Sequence, residues 1–244
     1  MSDFMSIYYA ESRYGGFTDV DGTIAFYFRI TSLINSSSVV LDFGCGRGIC
    51  DKDPLQIRRE LKIFKGRCKK VIGIDIDETA RNNPFIDEFH LLKNNRVPLG
   101  DRSVDMCVCD SVLEHVENPN YLFSECGRVI KQGGYLCIRT PNIYGYVGLF
   151  SRLVPNRLHY EVLMKLTNLR RKEEDVFRTF YECNSIKKIR GMLETHGFEH
   201  CVYGYEAEPT YLQFSRLCYM LGVLYQRFAP SKFKNTIFAF AKKK

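Results

Sequence analysis

Short apolar runs alternate with amphipathic stretches through the first two-thirds of the chain. The run at 39–43 (VVLDF) is rich in β-branched residues and predicts a buried strand that ends at the glycines of GCGRG. The same pattern predicts four more strands in this part, at 71–75, 88–92, 104–110 and 135–140. Helical spacing predicts helices at 21–34, 54–65 and 118–131. Because strands that alternate with helices form right-handed βαβ units, we expect a mostly parallel sheet with helices on both faces.

This alternation is interrupted at residue 141. A long basic and aromatic-rich excursion covers 141–183, after which a helix is predicted at 185–196, with Ser185 as its N-cap and Gly197 just past its end. The remaining predicted elements are strands at 198–205 and 235–241 and an aromatic amphipathic stretch at 211–228. We therefore expect one domain, divided into a leading helical segment (1–35), a core (36–142), a cap insertion (143–183) and a C-terminal helix–strand part (184–244).

Positive charge is concentrated in the last part of the chain. The formal net charge is +7, but residues 1–150 hold 18 Lys+Arg against 19 Asp+Glu, whereas residues 151–244 hold 17 against 9. With 45% hydrophobic residues, the 244-residue chain can bury a sizeable core, which excludes disorder as its main state. No run approaches the roughly 18 apolar residues of a membrane span, and the N-terminus lacks the basic start and apolar block of a secretory signal.

The cysteine pattern argues against a metal site. The ten cysteines include no CxxC pair, and most of them lie in apolar runs. Because a zinc site needs paired ligand spacings, no metal is predicted. We expect buried thiols in a reducing cytoplasm instead.

The sharpest motif is the glycine loop GCGRG at 44–48, which lies between a strand and a helix. Glycines allow a tight turn there and let a ligand approach the backbone with no Cβ in the way. The next strand ends in Asp75, whose carboxylate can accept hydrogen bonds from both hydroxyls of a ribose. A dinucleotide site would have the spacing GxGxxG, and the carboxylate of Asp42 would repel a pyrophosphate. S-Adenosylmethionine carries an ammonium and a sulfonium and no phosphate, so these residues favour it over NAD.

At this point the chain resembles the class I S-adenosylmethionine-dependent methyltransferases, in a type 11-like bacterial branch that acts on small molecules. The resemblance runs in order through VVLDFGCGRG, VIGIDID, VPLGDRSVDMCVCDSVLEHVENP and RVIKQGGYLCIRTPN, within 39–142. Looser similarity at 21–29, 140–163 and 173–199 is to bacterial enzymes of cell-surface saccharide or lipid modification. The resemblance implies a Rossmann-like α/β fold, with a seven-stranded, mostly parallel sheet whose last strand is antiparallel, and a small helical and aromatic substrate cap.

The resemblance also implies which residues bind the cofactor. Asp42 and the backbone of the glycine loop would hold the amino-acid end, Asp75 would bind the ribose hydroxyls, and Ile76 would pack on the adenine. The implied set is Asp42, Gly44, Cys45, Gly46, Gly48, Asp75, Ile76, Asp110 and Ser111, the last two lining the methionine side. The family often places an acid after the third strand, facing the adenine amino group, and here that position is Lys93, next to Asn94. Adenine recognition is therefore expected to use backbone groups or Asn94.

Candidates for the acceptor side are fewer. Methyl transfer to an oxygen gains from a general base, and His115 is the candidate because it follows the fourth strand on the cofactor side. The alternative for His115 is a structural hydrogen bond at the start of a helix. Candidate substrate contacts are Asn142, His159 and Arg171. Asn142 could instead satisfy a turn, and the basic cluster around Arg171 could be a solvated face neutralised by its acidic neighbours.

We therefore expect a cytoplasmic S-adenosylmethionine-dependent methyltransferase that methylates an oxygen of a small-molecule, saccharide or lipid-linked acceptor. The basic C-terminal part suggests an anionic acceptor, and the stretch at 211–228 could either pack on the sheet or contact the inner membrane face. A nucleic-acid methyltransferase and a non-catalytic cofactor-binding protein are the alternatives. Against the first, the chain has no NPPY-like motif; against the second, the glycine loop and Asp75 are both intact.

Overall fold

The fold is given by a computed structural model, which describes residues 4–48, 53–153 and 178–244. Its strands are β1 (Val39–Phe43), β2 (Lys70–Asp75), β3 (Glu88–Leu91), β4 (Val104–Asp110), β5 (Ile130–Pro141), β6 (Phe198–Tyr205) and β7 (Thr236–Lys243). They form one seven-stranded sheet in the order β3-β2-β1-β4-β5-β7-β6. Strand β7 runs antiparallel to β5 and β6, whereas the neighbouring pairs among β1 to β5 are parallel. This confirms the predicted mostly parallel sheet with an antiparallel last strand.

Five of the seven helices of the described residues lie where the apolar spacing predicted them, whereas those at Phe4–Tyr8 and Tyr146–Leu153 were not predicted. The helices are α1 (Phe4–Tyr8), α2 (Gly22–Thr31), α3 (Gln56–Lys62), α4 (Pro119–Val129), α5 (Tyr146–Leu153), α6 (Ile186–Thr195) and α7 (Arg216–Phe228). The Ser185 hydroxyl caps α6 by accepting from the backbone N–H of Lys188, and Gly197 follows the helix with φ at +79°. Helix α3 is shorter than predicted, because Pro54 lies before the helix rather than in its first turn.

Strand β5 begins five residues earlier than the sequence predicted. It follows α4 directly at Ile130, and the register of its pairing with β4 shifts between Val104 and Met106. A Cβ at Gly134 would lie 2.7 Å from the carbonyl oxygen of Asp105, so glycine is required for this close approach. Glycine at this position thus allows an irregular strand.

The sheet separates two apolar cores, because successive side chains of a strand point to opposite faces. On one face, residues such as Leu41, Ile74 and Cys109 pack in a cluster with Phe123 of α4 and Leu193 of α6. On the other face, the cluster contains Val40, Val71, Met106, Val108 and Phe238 from the sheet, and Phe26, Tyr27 and Ile30 from α2. Helices therefore cover both faces, and α2 lies on the face that carries the candidate site.

Helix α7 packs on a helix rather than on the sheet. Its buried residues Tyr219 and Val223 form a separate cluster with Met5 of α1 and Tyr9. The alternative in which the 211–228 stretch packs on the sheet is therefore replaced by a helix-on-helix contact. Within the described ranges, no helix is long and apolar enough to cross a membrane.

Candidate functional site

Three carboxylates meet at the carboxyl-terminal edge of the sheet. Asp42 in β1 is in register with Gly73 of β2 and Val108 of β4. Asp75 and Asp110 each lie two residues further along their strands, so all three side chains belong to the same face. In open α/β sheets this edge is where ligands bind.

The glycine loop is tied to this edge by backbone hydrogen bonds. The N–H groups of Gly44 and Cys45 both donate to the carbonyl oxygen of Ile74, at 2.7 and 3.1 Å. The N–H of Gly46 donates to Oδ2 of Asp75 at 2.9 Å. Strand β2 and its terminal carboxylate therefore hold the loop that follows β1.

Two glycines of the loop are needed for different reasons. Both adopt left-handed backbone conformations, with φ of +76° at Gly44 and +55° at Gly46. A Cβ at Gly44 would lie 2.4 Å from Cγ2 of Val112, whereas a Cβ at Gly46 would meet no atom within 4 Å. Gly44 thus allows close packing against the segment after β4, and Gly46 borders open space that a ligand can enter.

Asn83 supports the far side of the loop and was missed by the sequence analysis. Its amide Nδ2 donates to the carbonyl oxygens of Cys45 and Gly46, at 2.9 and 3.2 Å. At Gly48, where φ is +74°, a Cβ would lie 2.5 Å from Oδ1 of Asn83. Asn83 follows the loop by more than thirty residues, so no local pattern marks it.

Asp75 retains capacity for a ligand. Besides Gly46, it accepts a hydrogen bond from the N–H of Asp77 on Oδ1, at 2.9 Å. A carboxylate offers about four lone-pair positions, so each oxygen can accept one more hydrogen bond. Beside it, the side chain of Ile76 is 65% exposed, which is unusual for isoleucine and leaves an apolar surface next to the carboxylate.

Asp42 carries an unsatisfied carboxylate. Within the residues that the structure describes, no donor is hydrogen-bonded to its side chain. Burial, together with the nearby carboxylates of Asp110 and Asp75, raises the pKa of Asp42 to about 7. A bound cation would relieve the repulsion among these acids.

Asp110 is held by partners that sequence patterns did not predict. Arg139 of β5 donates to both of its oxygens, from Nε at 2.6 Å and Nη2 at 2.5 Å, and the hydroxyl of Tyr27 donates to Oδ2 at 2.7 Å. Burial alone would raise the pKa of Asp110, but the charge and hydrogen bonds of Arg139 outweigh it and the pKa is lowered. Arg139 therefore neutralises one of the three acids, whereas no basic side chain of the described residues forms an ion pair with Asp42 or Asp75.

The chain turns sharply immediately after Asp110. Ser111 is exposed and has φ at +60°, in the left-handed region that non-glycine residues seldom adopt. Its N–H donates to the carbonyl oxygen of Arg139 at 2.9 Å, which fixes this turn against the end of β5. Strained backbone of this kind clusters at functional sites.

His115 and Glu114 lie in the short 3₁₀ turn after this bend, and their environments differ. Nδ1 of His115 is 2.9 Å from the carbonyl oxygen of Arg178, and a carbonyl can only accept, so Nδ1 carries the proton of the neutral ring. Glu114 is buried and accepts from the hydroxyl of Thr140 at 3.0 Å; burial raises its pKa. The His115 ring is thus oriented by the backbone of Arg178, while Glu114 belongs to a buried polar cluster.

Of the three candidate substrate contacts, only Asn142 lies within the described residues. Asn142 is buried, and its Nδ2 donates to the carbonyl oxygens of Lys232 and Lys234, at 2.8 and 2.7 Å. Its Oδ1 accepts from the N–H of Tyr144, so its contacts are those of the turn-forming alternative. His159 and Arg171 lie outside the described residues.

The segment after β3 borders an open hollow of about 550 Å³. Its lining includes Lys93 and Asn94, which occupy the position where the family often has an acid. Lys93 pairs with Arg96 through a β-bridge, and Asn94 has φ at +54°. Asn94 therefore sits in a tight turn at the edge of this hollow.

A second cavity lies beside the Asp110–Arg139 pair. It measures about 230 Å³ and is bordered by Arg139, Asp21, Arg58 and Glu208. Asp21 caps α2 through Oδ1 and pairs with Arg58 through Oδ2, and Glu208 accepts from Thr18. These charges are already paired with one another, so the network links α2, α3 and the chain before α7.

The one group of potential metal ligands among the described residues lies in the apolar core. Sγ of Cys107 is 3.9 Å from that of Cys109 and 3.8 Å from that of Cys126, and all three residues are fully buried. They pack between β4 and α4, on the face of the sheet opposite Asp42. Cysteine in such surroundings behaves as a small apolar residue.

The residues at the sheet edge fit a cationic nucleoside cofactor. The unpaired Asp42 can receive an ammonium group, Asp75 has acceptors for two hydroxyls, and Ile76 offers an apolar surface for a base. Open space beside Gly46 allows the ligand to approach the backbone. This arrangement matches S-adenosylmethionine, whose positive groups suit an acidic site.

Comparison with known proteins finds similarity to methyltransferases. The profile of the methyltransferase domain family matches residues 41–138. A ubiquinone biosynthesis O-methyltransferase of Nitrosomonas europaea is 28% identical over 144 residues, covering 51% of this chain and 56% of the relative. The biotin biosynthesis bifunctional protein BioHC of Teredinibacter turnerae is 33% identical over 111 residues, covering 41% of this chain and 19% of the relative. The chain thus spans from about a fifth to just over half of the length of these relatives.

Solved structures share the fold. A structure of a SAM-dependent methyltransferase from Archaeoglobus fulgidus superposes with a TM-score of 0.57 at 18% identity, covering 96% of this chain and 98% of the other. At this level of identity the likeness concerns the fold alone.

Proposed function

Since the chain carries a class I, S-adenosylmethionine-dependent methyltransferase domain, we propose that it transfers a methyl group from S-adenosylmethionine to an oxygen of a small-molecule, saccharide or lipid-linked acceptor. The observation that carries this proposal is the meeting of unpaired Asp42, the open glycine loop and Asp75 at one sheet edge. A degenerate relative that no longer binds the cofactor would have no need of this complete set.

The cofactor end of the site is built to hold positive charge. Asp42 would receive the ammonium group, Asp75 would accept from the ribose hydroxyls while it anchors Gly46, and Ile76 would cover the adenine. When bound, the cofactor supplies an activated methyl group on its sulfonium. The protein then needs mainly to align the acceptor and exclude water.

The acceptor end contains one candidate base. His115 is oriented by the carbonyl oxygen of Arg178, and its imidazole would take a proton from an acceptor hydroxyl as the oxygen attacks the methyl group. Asp110, neutralised by Arg139, would line the side of the site next to this histidine. A hydroxyl acceptor is therefore favoured over an amine, which needs no such base when it is already neutral.

The class of acceptor can be tested by methyl release. The purified chain is incubated with S-adenosylmethionine labelled on its methyl group, together with separate lipid-linked saccharide, quinone and RNA extracts. Transfer into a lipid or saccharide fraction in an alkali-stable, ether-type linkage is the expected result. Transfer into RNA alone would contradict the proposed acceptor class, and cofactor binding with no transfer into any fraction would favour the non-catalytic alternative.

A further inference from the structure

The outer face of α7 carries an apolar stripe. Leu217, Leu221, Leu224 and Phe228 recur at intervals of four, three and four residues, and each is between 47% and 77% exposed. At 3.6 residues per turn they fall within an arc of about 60°. Phe214, just before the helix, is 56% exposed and extends the same spacing. A continuous exposed stripe of this kind marks an interaction surface rather than scattered surface residues.

The opposite face of the same helix is already occupied. Tyr219 and Val223 pack against Met5 and Tyr9, and a Cβ at Gly222 would lie 2.6 Å from Cβ of Pro209. These contacts hold the helix against the rest of the domain. The exposed stripe on its other face is therefore not needed to pack the core.

The charged residues of the segment that carries the stripe have one sign. Residues 209–244 contain seven basic residues (Lys and Arg) and no acidic ones, whereas residues 1–208 contain 28 basic and 28 acidic residues. The entire formal net charge of +7 is thus placed in the segment that contains α7. Arg216, Arg227 and Lys232 are exposed, and no acidic side chain of the described ranges forms an ion pair with them.

This helix is connected to the candidate site. The hydroxyl of Tyr225 donates to the carbonyl oxygen of Phe233, and the ring of Tyr225 lies edge-on to that of Tyr146, with centroids 5.2 Å apart. Asn142, which follows β5, binds the backbone on both sides of Phe233. The basic turn after α7 is therefore fastened to the carboxyl end of the sheet.

We propose that the outer face of α7 binds the surface of an anionic lipid bilayer. The stripe would enter the boundary between head groups and acyl chains, and Arg216, Arg227 and Lys232 would contact the lipid phosphates. A second copy of the chain is a poorer occupant, because a symmetric contact would bring Arg216 and Arg227 of both copies together, and residues 209–244 contain no acidic residue to pair with them. A lipid surface supplies both the apolar medium and the negative charge.

This proposal concerns a surface apart from the cofactor site, and it also explains how a lipid-linked acceptor would be reached. In that second respect it rests on the proposed function. Bilayer binding and cofactor binding are measured separately, so either can fail without the other.

The absence of tryptophan from the chain allows a direct experiment. Leu221→Trp places a single tryptophan on the stripe, and Phe28→Trp places one on α2, at a site that is also more than half exposed. Each variant is titrated with vesicles of one part phosphatidylglycerol to two parts phosphatidylcholine, and with phosphatidylcholine vesicles. With the anionic vesicles, the Leu221→Trp emission should shift to shorter wavelength and be quenched by brominated acyl chains. Phe28→Trp should show neither change.

Charge reversal tests the electrostatic part. Each basic side chain near an anionic surface contributes about fivefold to partitioning. Arg216→Glu with Lys232→Glu should therefore weaken vesicle binding by at least about tenfold, whereas the matched pair Lys69→Glu with Lys187→Glu, both exposed elsewhere, should change it much less.

Three results would overturn the proposal. The first is no emission shift with anionic vesicles at low salt. The second is equal loss of binding in both charge-reversal pairs. The third is an emission shift of Leu221→Trp that depends on protein concentration without lipid, which would identify a second copy of the chain as the occupant of the stripe.

Discussion

The negative charge of Asp42 is suited to binding a ligand, but it destabilises the folded state. Its carboxylate faces two other acids and receives no hydrogen bond in the described part of the chain, and its pKa is raised to about 7. Asp110 has the opposite balance, because Arg139 holds its pKa low. The two acids lie at the same sheet edge, but their partners differ. Asp110 is neutralised by Arg139, whereas Asp42 has no basic partner among the described residues.

Replacing Asp42 by Asn is expected to stabilise the folded chain at pH 8. A carboxyl group whose pKa rises on folding binds its proton more tightly in the folded state, so stability is lost as pH rises from about 4 to about 7. The melting temperature of the wild type should fall across this window by more than that of Asp42→Asn. The same variant should bind S-adenosylmethionine at least about tenfold more weakly at pH 8, since a charge-assisted contact contributes about 1.5–3 kcal/mol. Parallel melting profiles would contradict the raised pKa, and unchanged affinity would remove Asp42 from the site.

His115→Gln should lower the rate of methyl transfer and leave cofactor affinity unchanged. A general base contributes about 10²–10⁴-fold, and Gln cannot take the proton of a hydroxyl acceptor. The measurement is turnover with the acceptor fraction that the release assay identifies, together with calorimetry of the cofactor. His200→Gln, at a histidine on β6 that pairs with Glu194, is the matched control. Near-normal turnover in His115→Gln would assign this histidine to its structural alternative.

At the scale of elements, the glycine loop shows which features the sequence could predict. Strand β1 and the loop after it were predictable, because β-branched residues and glycines have local preferences. The hydrogen bond from Asn83 to the loop and the ion pair of Arg139 with Asp110 were not, because they join residues about thirty or more positions apart. The early start of β5 was missed because the close approach of Gly134 to β4 is a tertiary contact that no local pattern marks.

Three glycine-to-alanine variants separate strain, packing and ligand access. Gly44, Gly46 and Gly66 all have positive φ, but only at Gly44 would a Cβ collide with another side chain, Val112. Left-handed strain costs about 1–3 kcal/mol, and overpacking adds about 1–3 kcal/mol. Gly44→Ala should therefore be the least stable of the three in urea unfolding, and Gly46→Ala and Gly66→Ala should be similar to each other.

Cofactor binding should divide the same variants differently. Gly46→Ala should lose most of its affinity for S-adenosylmethionine because the new methyl group occupies the open side of the loop, whereas Gly66→Ala, outside the site, should retain it. Equal affinities in these two variants would mean that the ligand does not approach the backbone at Gly46.

At the scale of the whole molecule, the cofactor-binding residues and the excess positive charge lie in different parts of the chain. The first 208 residues are formally neutral and include every residue of the cofactor-binding set, while the last 36 carry the whole excess of positive charge. The sequence alone located this excess in the C-terminal part. The sequence could not show whether the apolar residues of the stretch at 211–228 pack on the sheet or are exposed, because amphipathic spacing is the same in both cases. The contact of α7 with α1 leaves the apolar stripe exposed, and this tertiary arrangement is what separates the two.

Calorimetric titration of the purified chain with S-adenosylmethionine tests the central claim most directly. We predict binding at one site, similar binding of the demethylated product S-adenosylhomocysteine, no measurable binding of NAD, and at least about tenfold weaker binding of S-adenosylmethionine to Asp75→Ala. A folded wild-type chain that binds neither S-adenosylmethionine nor its product would contradict the assignment of this sheet edge as a cofactor site.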